Sequence, residues 1–180
     1  YHEIRTVMQT VDIGDTVTVE LESGAGCAIT IHCDTPGVPC GPENTVHRAF
    51  THLFGKRADL CRKVNVTLAK RIPTGSGLGA GSSDAACAIT LFANLIGQSL
   101  DEDLGVAALA AAGSDTAFFL EGGRALCIGR GEEVIPLADM ARLHGILALP
   151  VGATVSTAEA YGLVSRELTV PGPALTLHAG

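Results

Sequence analysis

Lys70-Arg71-Ile72-Pro73-Thr74-Gly75-Ser76-Gly77-Leu78-Gly79-Ala80-Gly81-Ser82-Ser83-Asp84-Ala85-Ala86 is the stretch whose reading decides the fold. Glycine recurs at every second position from Gly75 to Gly81, two serines and an aspartate follow, and an apolar run with helical spacing begins at Ala85. So much glycine leaves backbone N–H groups uncovered, and the helix behind it adds unpaired amides and the positive end of its dipole. Together they form a receptacle for phosphate, which points to a bound nucleotide. The two commonest phosphate loops are not matched. A Walker A loop needs Gly-Lys followed by Ser or Thr, and no lysine lies between Lys70 and the end of the loop. The dinucleotide fingerprint needs Gly-x-Gly-x-x-Gly, but the windows opening at Gly75, Gly77 and Gly79 close on Ala80, Ser82 and Asp84. A flexible Gly/Ser linker is the bland alternative. The position of the loop argues against it, between a strand-like and a helix-like run with Pro73 at its entry.

Outward from the loop, alternation and helical spacing set the elements. Val64, Val66 and Leu68 alternate into Lys70, while Ala85 to Ile96 reads as an apolar helix ending at Gly97. Tyr1 to Val11 is a weak strand. Thr16 to Leu21 and the run holding Ile29, Ile31 and Cys33 alternate more cleanly, with turns at residues 12–15 and 23–26. These three strands with tight turns suggest an antiparallel sheet. A helix is expected from Asn44 to Phe54, stopped by Gly55, and another after a Ser99 cap with Glu102 in a capping box. Ser114 to Leu120 is short and helical or irregular. Strands are expected at Ala125–Ile128, Val134–Leu137 and Gly145–Pro150, and a helix from Ser156 to Val164. The sum is an α+β fold, a mostly antiparallel sheet with helices on one face.

Composition narrows the function classes. The 180 residues are 47% hydrophobic, enough for one domain with a sizeable core. A net charge of −7 with no basic run disfavours a nucleic-acid surface. No stretch approaches the ~20 continuous apolar residues of a membrane span. The six cysteines match no zinc spacing, and the six histidines no metal motif. With Cys87 expected on a buried helix face and Cys127 in a strand, the cysteines read as free, mostly buried thiols in a reducing compartment.

The motifs resemble the GHMP kinase superfamily. The resemblance is carried by Tyr1-His2-Glu3-Ile4-Arg5-Thr6-Val7, Glu43-Asn44-Thr45-Val46, Lys70 to Ala86 and Gly113-Ser114-Asp115-Thr116-Ala117-Phe118-Phe119. Gly129-Arg130-Gly131-Glu132 and Val155-Ser156-Thr157-Ala158 are further echoes, so the match runs over nearly the whole chain in order. It implies the superfamily's N-terminal ATP-binding domain over residues 1–150, a fold like ribosomal protein S5 domain 2, and the start of a truncated C-terminal domain at 151–180. The variant of the loop and the Tyr1-His2 pair imply the branch that transfers the ATP γ-phosphate to the 2-hydroxyl of 4-diphosphocytidyl-2-C-methyl-D-erythritol, a step of non-mevalonate isoprenoid synthesis.

The resemblance also implies roles. Pro73, Thr74, Gly75, Ser76, Gly77, Leu78, Gly79, Ala80, Gly81, Ser82 and Ser83 wrap the ATP phosphates, with Asn44 and Lys70 on the nucleotide side. Asp115 is the catalytic aspartate, accepting or orienting the proton of the acceptor hydroxyl. Tyr1 and His2 receive the cytosine ring. ATP and Mg²⁺ are the implied cofactors, with Ser82 or Ser83 reaching the metal. Thr116 and Ala117 depart from the family's hydrophobe and proline and are expected to loosen the segment that presents Asp115. A segment before Tyr1, with a lysine pairing the catalytic aspartate, and most of a second domain are missing, so the chain reads as a fragment with reduced activity. The expected location is cytoplasmic, or the plastid for a eukaryotic source, and the expected partner is a small molecule, without nucleic acid or membrane. Three alternatives stay open: another GHMP kinase acting on homoserine, mevalonate or a sugar; a degenerate, non-catalytic relative; and a non-enzymatic RNA-binding module, which the acidic charge opposes.

Overall fold

The computed structural model describes residues 3–99, 102–148 and 157–163. The chain divides into two compact units that part after Ile146. In the first unit the order is β1 (Ile4–Gln9), β2 (Thr16–Glu22), β3 (Ala28–Cys33), α1 (Thr45–Lys56), β4 (Lys63–Ala69), α2 (Ala80–Leu95), α3 (Glu102–Ala112), α4 (Phe118–Glu121), β5 (Arg124–Gly129) and β6 (Glu133–Pro136). In the second unit the described structure is the short helix α5 (Thr157–Gly162). No helix among the described residues is long and apolar enough to cross a membrane.

Two three-stranded sheets result, ordered β2-β4-β3 and β1-β5-β6. Every pairing is antiparallel except that of β3 with β4. This departs from the meander expected of β1, β2 and β3, because β4 lies between β2 and β3, and β1 joins the other sheet. The reason is burial. Val64, Val66 and Leu68 of β4 are at most 3% exposed, and a strand that apolar gains most from neighbours on both edges. The β3–α1–β4 crossover then makes the parallel pair possible. Across the ladder, Val19, Val66 and Ile31 are in register on one face, and Thr18, Thr67 and His32 on the other. The apolar face packs on Val46, Ala49, Phe50, Leu53 and Phe54 of α1 and on Ala85, Ile89 and Phe92 of α2. Phe50, Phe54 and Phe92 meet in tilted and edge-on contacts with ring centres 5.3–5.6 Å apart. The helices thus cover one face, as expected. A smaller core forms on the second sheet around Phe118, Ala125 and Cys127, and Phe119 packs against both cores.

Several expectations are corrected. Helix α1 runs through Gly55 to Lys56. Helix α2 starts at Ala80, five residues before the apolar run, because the Ser82 and Ser83 amides donate to the Gly79 carbonyl and wind the first turn. Residues 145–148 form no strand, Ile146 being 98% exposed, and residues 149–150 of that expected strand lie outside the described residues, as does the Ser156 cap. Cys27 and Cys61 are joined in a disulfide that ties the start of β3 to the approach of β4, so the reading of all cysteines as free thiols is wrong for this pair. The pair is brought together by the parallel ladder, over 34 residues of sequence. Cys87 is exposed, since it shares an outward stripe of α2 with Thr90 and Asn94, whereas Cys127 is buried in β5.

Candidate active site

The loop between β4 and α2 forms one wall of a cleft of about 350 Å³. Thr74 to Ser82 line it together with Val38, Pro39, Glu43, Asn44, Thr45, Lys70, Asp84 and Asp115. Gly75, Gly77 and Gly79 have φ of 71°, 73° and 69°, a left-handed alternation open to glycine and costly for other residues. A Cβ at Gly75 or Gly77 would meet nothing within 4 Å, so these positions leave the backbone accessible. At Gly79 it would lie 2.7 and 2.8 Å from two ring atoms of Phe119. The aromatic block after Asp115 therefore supports the loop from below and needs a glycine there. No side chain caps α2, which leaves its first amides for an anion. The hydroxyl of Ser76, another residue of the cleft wall, is buried with no hydrogen-bond partner, the condition of a group open to a polar ligand. The cradle fits a phosphate chain.

Three segments converge on the loop. At the α1 end, the Asn44 side chain accepts from the Val46 amide at 2.8 Å and donates to the Pro39 carbonyl at 2.7 Å. It caps the helix and pins the Val38–Pro39 wall, with both its amide groups engaged. Thr45 and Ser82 approach the closely packed backbone at Gly81 and Gly113. Asp115 closes the cleft from the α3–α4 connection, where the Ser114 hydroxyl donates to its Oδ1 at 3.4 Å. Gly131, in the β5–β6 turn, backs this segment, since a Cβ there would lie 3.3 Å from the Ser114 carbonyl and 3.6 Å from Asp115 Oδ1. Burial pushes the Cys127 thiol up, and the Asp115 charge adds to that push. The loosening expected from Thr116 and Ala117 is not what the structure shows. Thr116 is fully buried, its hydroxyl lies 2.5 Å from the Leu109 carbonyl and 2.6 Å from that of Gly113, and Ala117 is buried beside it. The hydroxyl ties the segment to the end of α3.

Lys70 is buried, not solvent-facing. Its ammonium bonds Asp15 and, at 2.6 Å, Asp84 Oδ2, with all three side chains at most 4% exposed. Asp15 also accepts the backbone amides of Arg71 at 2.5 Å and Ile72 at 2.8 Å. Burial works against the charge of Asp15, but the Lys70 ammonium and the two amides outweigh it and hold the carboxyl below its ordinary value. Burial likewise opposes the Lys70 charge and is outweighed by its two carboxylates, which raise it. At Asp84 burial wins, helped by the neighbouring Asp15, and the carboxyl is raised despite Lys70.

Of the residues expected in the site, Asn44, Lys70, Thr74 to Ser82 and Asp115 meet in the cleft. Pro73 and Ser83 do not line it. Pro73 closes the turn at the loop entry by accepting from the Ser76 amide, and the Ser83 hydroxyl donates to the Ala80 carbonyl at 2.9 Å. Tyr1 and His2 lie outside the described residues. Asp15, Glu43 and Asp84 are additions. Asp84 sits in the quoted motif, but Asp15 carries no signal, since its partners are 55 to 57 residues away.

The loop, the uncapped helix and the facing aspartate sit on an α+β scaffold, and residues 44–123 match the model of the GHMP kinases N terminal domain. The chain is similar to enzymes named 4-diphosphocytidyl-2-C-methyl-D-erythritol kinase. That of Acaryochloris marina is 38% identical over 161 residues, 89% of this chain and 51% of that protein. Those of Citrifermentans bemidjiense and Thermotoga maritima are 37% and 38% identical over 97% and 96% of this chain and 60% of each relative. A crystal structure of 4-(cytidine 5'-diphospho)-2C-methyl-D-erythritol kinase superposes with a TM-score of 0.67 at 32% identity, over 93% of this chain and 57% of that one. Homoserine kinase from Cytophaga hutchinsonii shares the fold, with a TM-score of 0.60 at 20% identity over 87% of this chain and 53% of that one. The chain spans between half and three-fifths of the length of these curated relatives.

Proposed function

We propose that this protein is an ATP-dependent kinase that phosphorylates the 2-hydroxyl of 4-diphosphocytidyl-2-C-methyl-D-erythritol. The observation that carries the reading is the convergence of the glycine loop, the uncapped start of α2 and Asp115 on one cleft. Phosphoryl transfer requires positioning and stabilisation of charge more than covalent chemistry. The amides of Gly75 and of residues 77–81 would hold the phosphates, with the Ser76 hydroxyl as an added donor. Asp115, across the cleft, would orient the acceptor hydroxyl and take its proton. Bound Mg²⁺ supplies neutralisation of the developing phosphate charge. Of the two serines, Ser82 lines the cleft and is the one we assign to the metal. Tyr1 and His2 remain the residues assigned to the cytosine ring, on the motif alone. The reactants are water-soluble, in keeping with the expected cytoplasmic location.

The test is ADP release with ATP and Mg²⁺ against a panel of 4-diphosphocytidyl-2-C-methyl-D-erythritol, homoserine, mevalonate and galactose. Turnover with the first acceptor alone is expected, falling by about 10²-fold or more in Asp115→Asn if the carboxylate serves as base. Turnover with another acceptor transfers the site to a different small-molecule kinase and removes the roles of Tyr1 and His2. Nucleotide binding without turnover on any acceptor supports a degenerate relative.

A further inference from the structure

The geometry points to Asp15 as the positioning residue of the nucleotide loop, acting on phosphate affinity without touching the nucleotide. This inference rests on the kinase reading above. Asp15 is the last residue before β2, and the β2–β4 ladder ends at the pair Thr16–Ala69, so Asp15 stands opposite Lys70 where sheet pairing stops. Beyond that point the amides of Arg71 and Ile72 have no strand to bond. Asp15 takes both on Oδ1 and takes the Lys70 ammonium on Oδ2. Lys70 in turn reaches Asp84, in the second turn of α2. The entry and exit of the glycine loop are therefore held together through one lysine, and one buried carboxylate organises the entry.

The arrangement matters because the loop cannot order itself. Its glycines lose more backbone freedom on ordering than any other residue, and at Gly75 and Gly77 no neighbouring atom lies within 4 Å of where a Cβ would stand. A phosphate cradle binds tightly only where its amides are already aimed, so fixed ends lower the ordering cost that the ligand would otherwise bear. Asp15 is 1% exposed and is not part of the cleft wall, which makes its effect indirect. The connection between β1 and β2 thereby acquires a role in nucleotide binding that its distance in sequence conceals.

Amide hydrogen exchange by NMR and calorimetric titration with Mg·ADP test this on the 180-residue chain. In the native chain without ligand, the Arg71 and Ile72 amides are expected to exchange at least tenfold more slowly than those of Gly75 and Gly77. In Asp15→Asn, whose amide group cannot accept two backbone donors and a cation together, that protection is expected to vanish while the amides of Val64 and Val66 stay protected. Affinity for Mg·ADP is expected to fall about tenfold or more, the scale of a lost charge-assisted hydrogen bond. Asp12→Asn, at an exposed position of the same β1–β2 connection, is expected to keep both the protection and the affinity. Equal exchange of residues 71, 72, 75 and 77 in the native chain overturns the inference without any variant, including where Asp15→Asn does not fold. So does a folded Asp15→Asn with native affinity. A native chain that binds no Mg·ADP removes the kinase reading itself, a result separate from native binding unaffected by the variant.

Discussion

At the scale of single residues, the informative group is Lys70 between Asp15 and Asp84. Two carboxylates and one ammonium in a dry environment leave one charge uncompensated, and the carboxyl shifts show where the strain falls: down at Asp15, up at Asp84. Lys70→Met strands both acids and is expected to cost about 3–5 kcal/mol in urea unfolding. Asp84→Asn should behave in the opposite way. It keeps an acceptor for Lys70 and removes the buried like charge beside Asp15, so at pH 7 its stability is expected to match or exceed the native chain by up to about 1 kcal/mol. The pH dependence follows from the directions. A depressed Asp15 stabilises above its ordinary 3.8 and is lost as the pH falls through its lower folded value. A raised Asp84 has the reverse sign, stabilising below 3.8 and losing that contribution as the pH rises through its higher folded value. Asp84→Asn removes this compensation, so its Tm is expected to drop more steeply than the native Tm on acidification from neutrality towards 3.8. A parallel fall of the two curves counts against the assignment. Lys70 is raised and loses its contribution only above 10.5.

At the scale of elements, the loop and the aspartate segment depend on each other. Phe119 follows Asp115 by one helical turn and lies against Gly79, so the block that presents the aspartate also seats the loop. Gly79→Ala confronts both a φ of 69° and a ring atom at 2.7 Å. It is expected to cost about 2–4 kcal/mol, the sum of left-handed strain and forced repacking, and to weaken nucleotide binding at temperatures where the variant is folded. Denaturation and titration of the same sample separate the two effects. Native affinity in a destabilised Gly79→Ala would show that the loop is set without Phe119. Thr116 shows why a departure from a family pattern is a poor guide to rigidity. Where a proline would restrict the chain, this protein uses a buried hydroxyl whose one proton lies within reach of the Leu109 and Gly113 carbonyls.

At the scale of the whole molecule, the Cys27–Cys61 link spans 34 residues, including β3, α1 and the Val38–Thr45 wall of the cleft. In the chain-entropy account, a closed loop of that length stabilises by roughly 3–4 kcal/mol. Reductant is expected to lower the Tm of the native chain and to leave Cys27→Ser unmoved at the lower value. A Tm indifferent to reductant in the native chain removes the link from the account of stability.

What could be read from the sequence divides along a physical line. The elements around β2, β3, α1, β4 and α2 follow from local periodicity, and the glycine loop from local composition, because side-chain alternation and glycine content act within a few residues. Asp115 and the cleft walls Asn44 and Lys70 were legible through the pattern around each. The strand order was not, because β4 gains its central place from burial on both edges, a property of the assembled sheet. The disulfide was not, since Cys27 and Cys61 are neighbours only across a parallel ladder. The role of Asp15 was not, as its three partners lie more than fifty residues on. The sequence by itself determined the helices, the main strands and the presence of a glycine-rich loop ahead of α2. Tertiary structure alone decided which strands neighbour, which cysteines pair and which carboxylates hold Lys70, because those choices depend on burial and on contacts between residues distant in the chain.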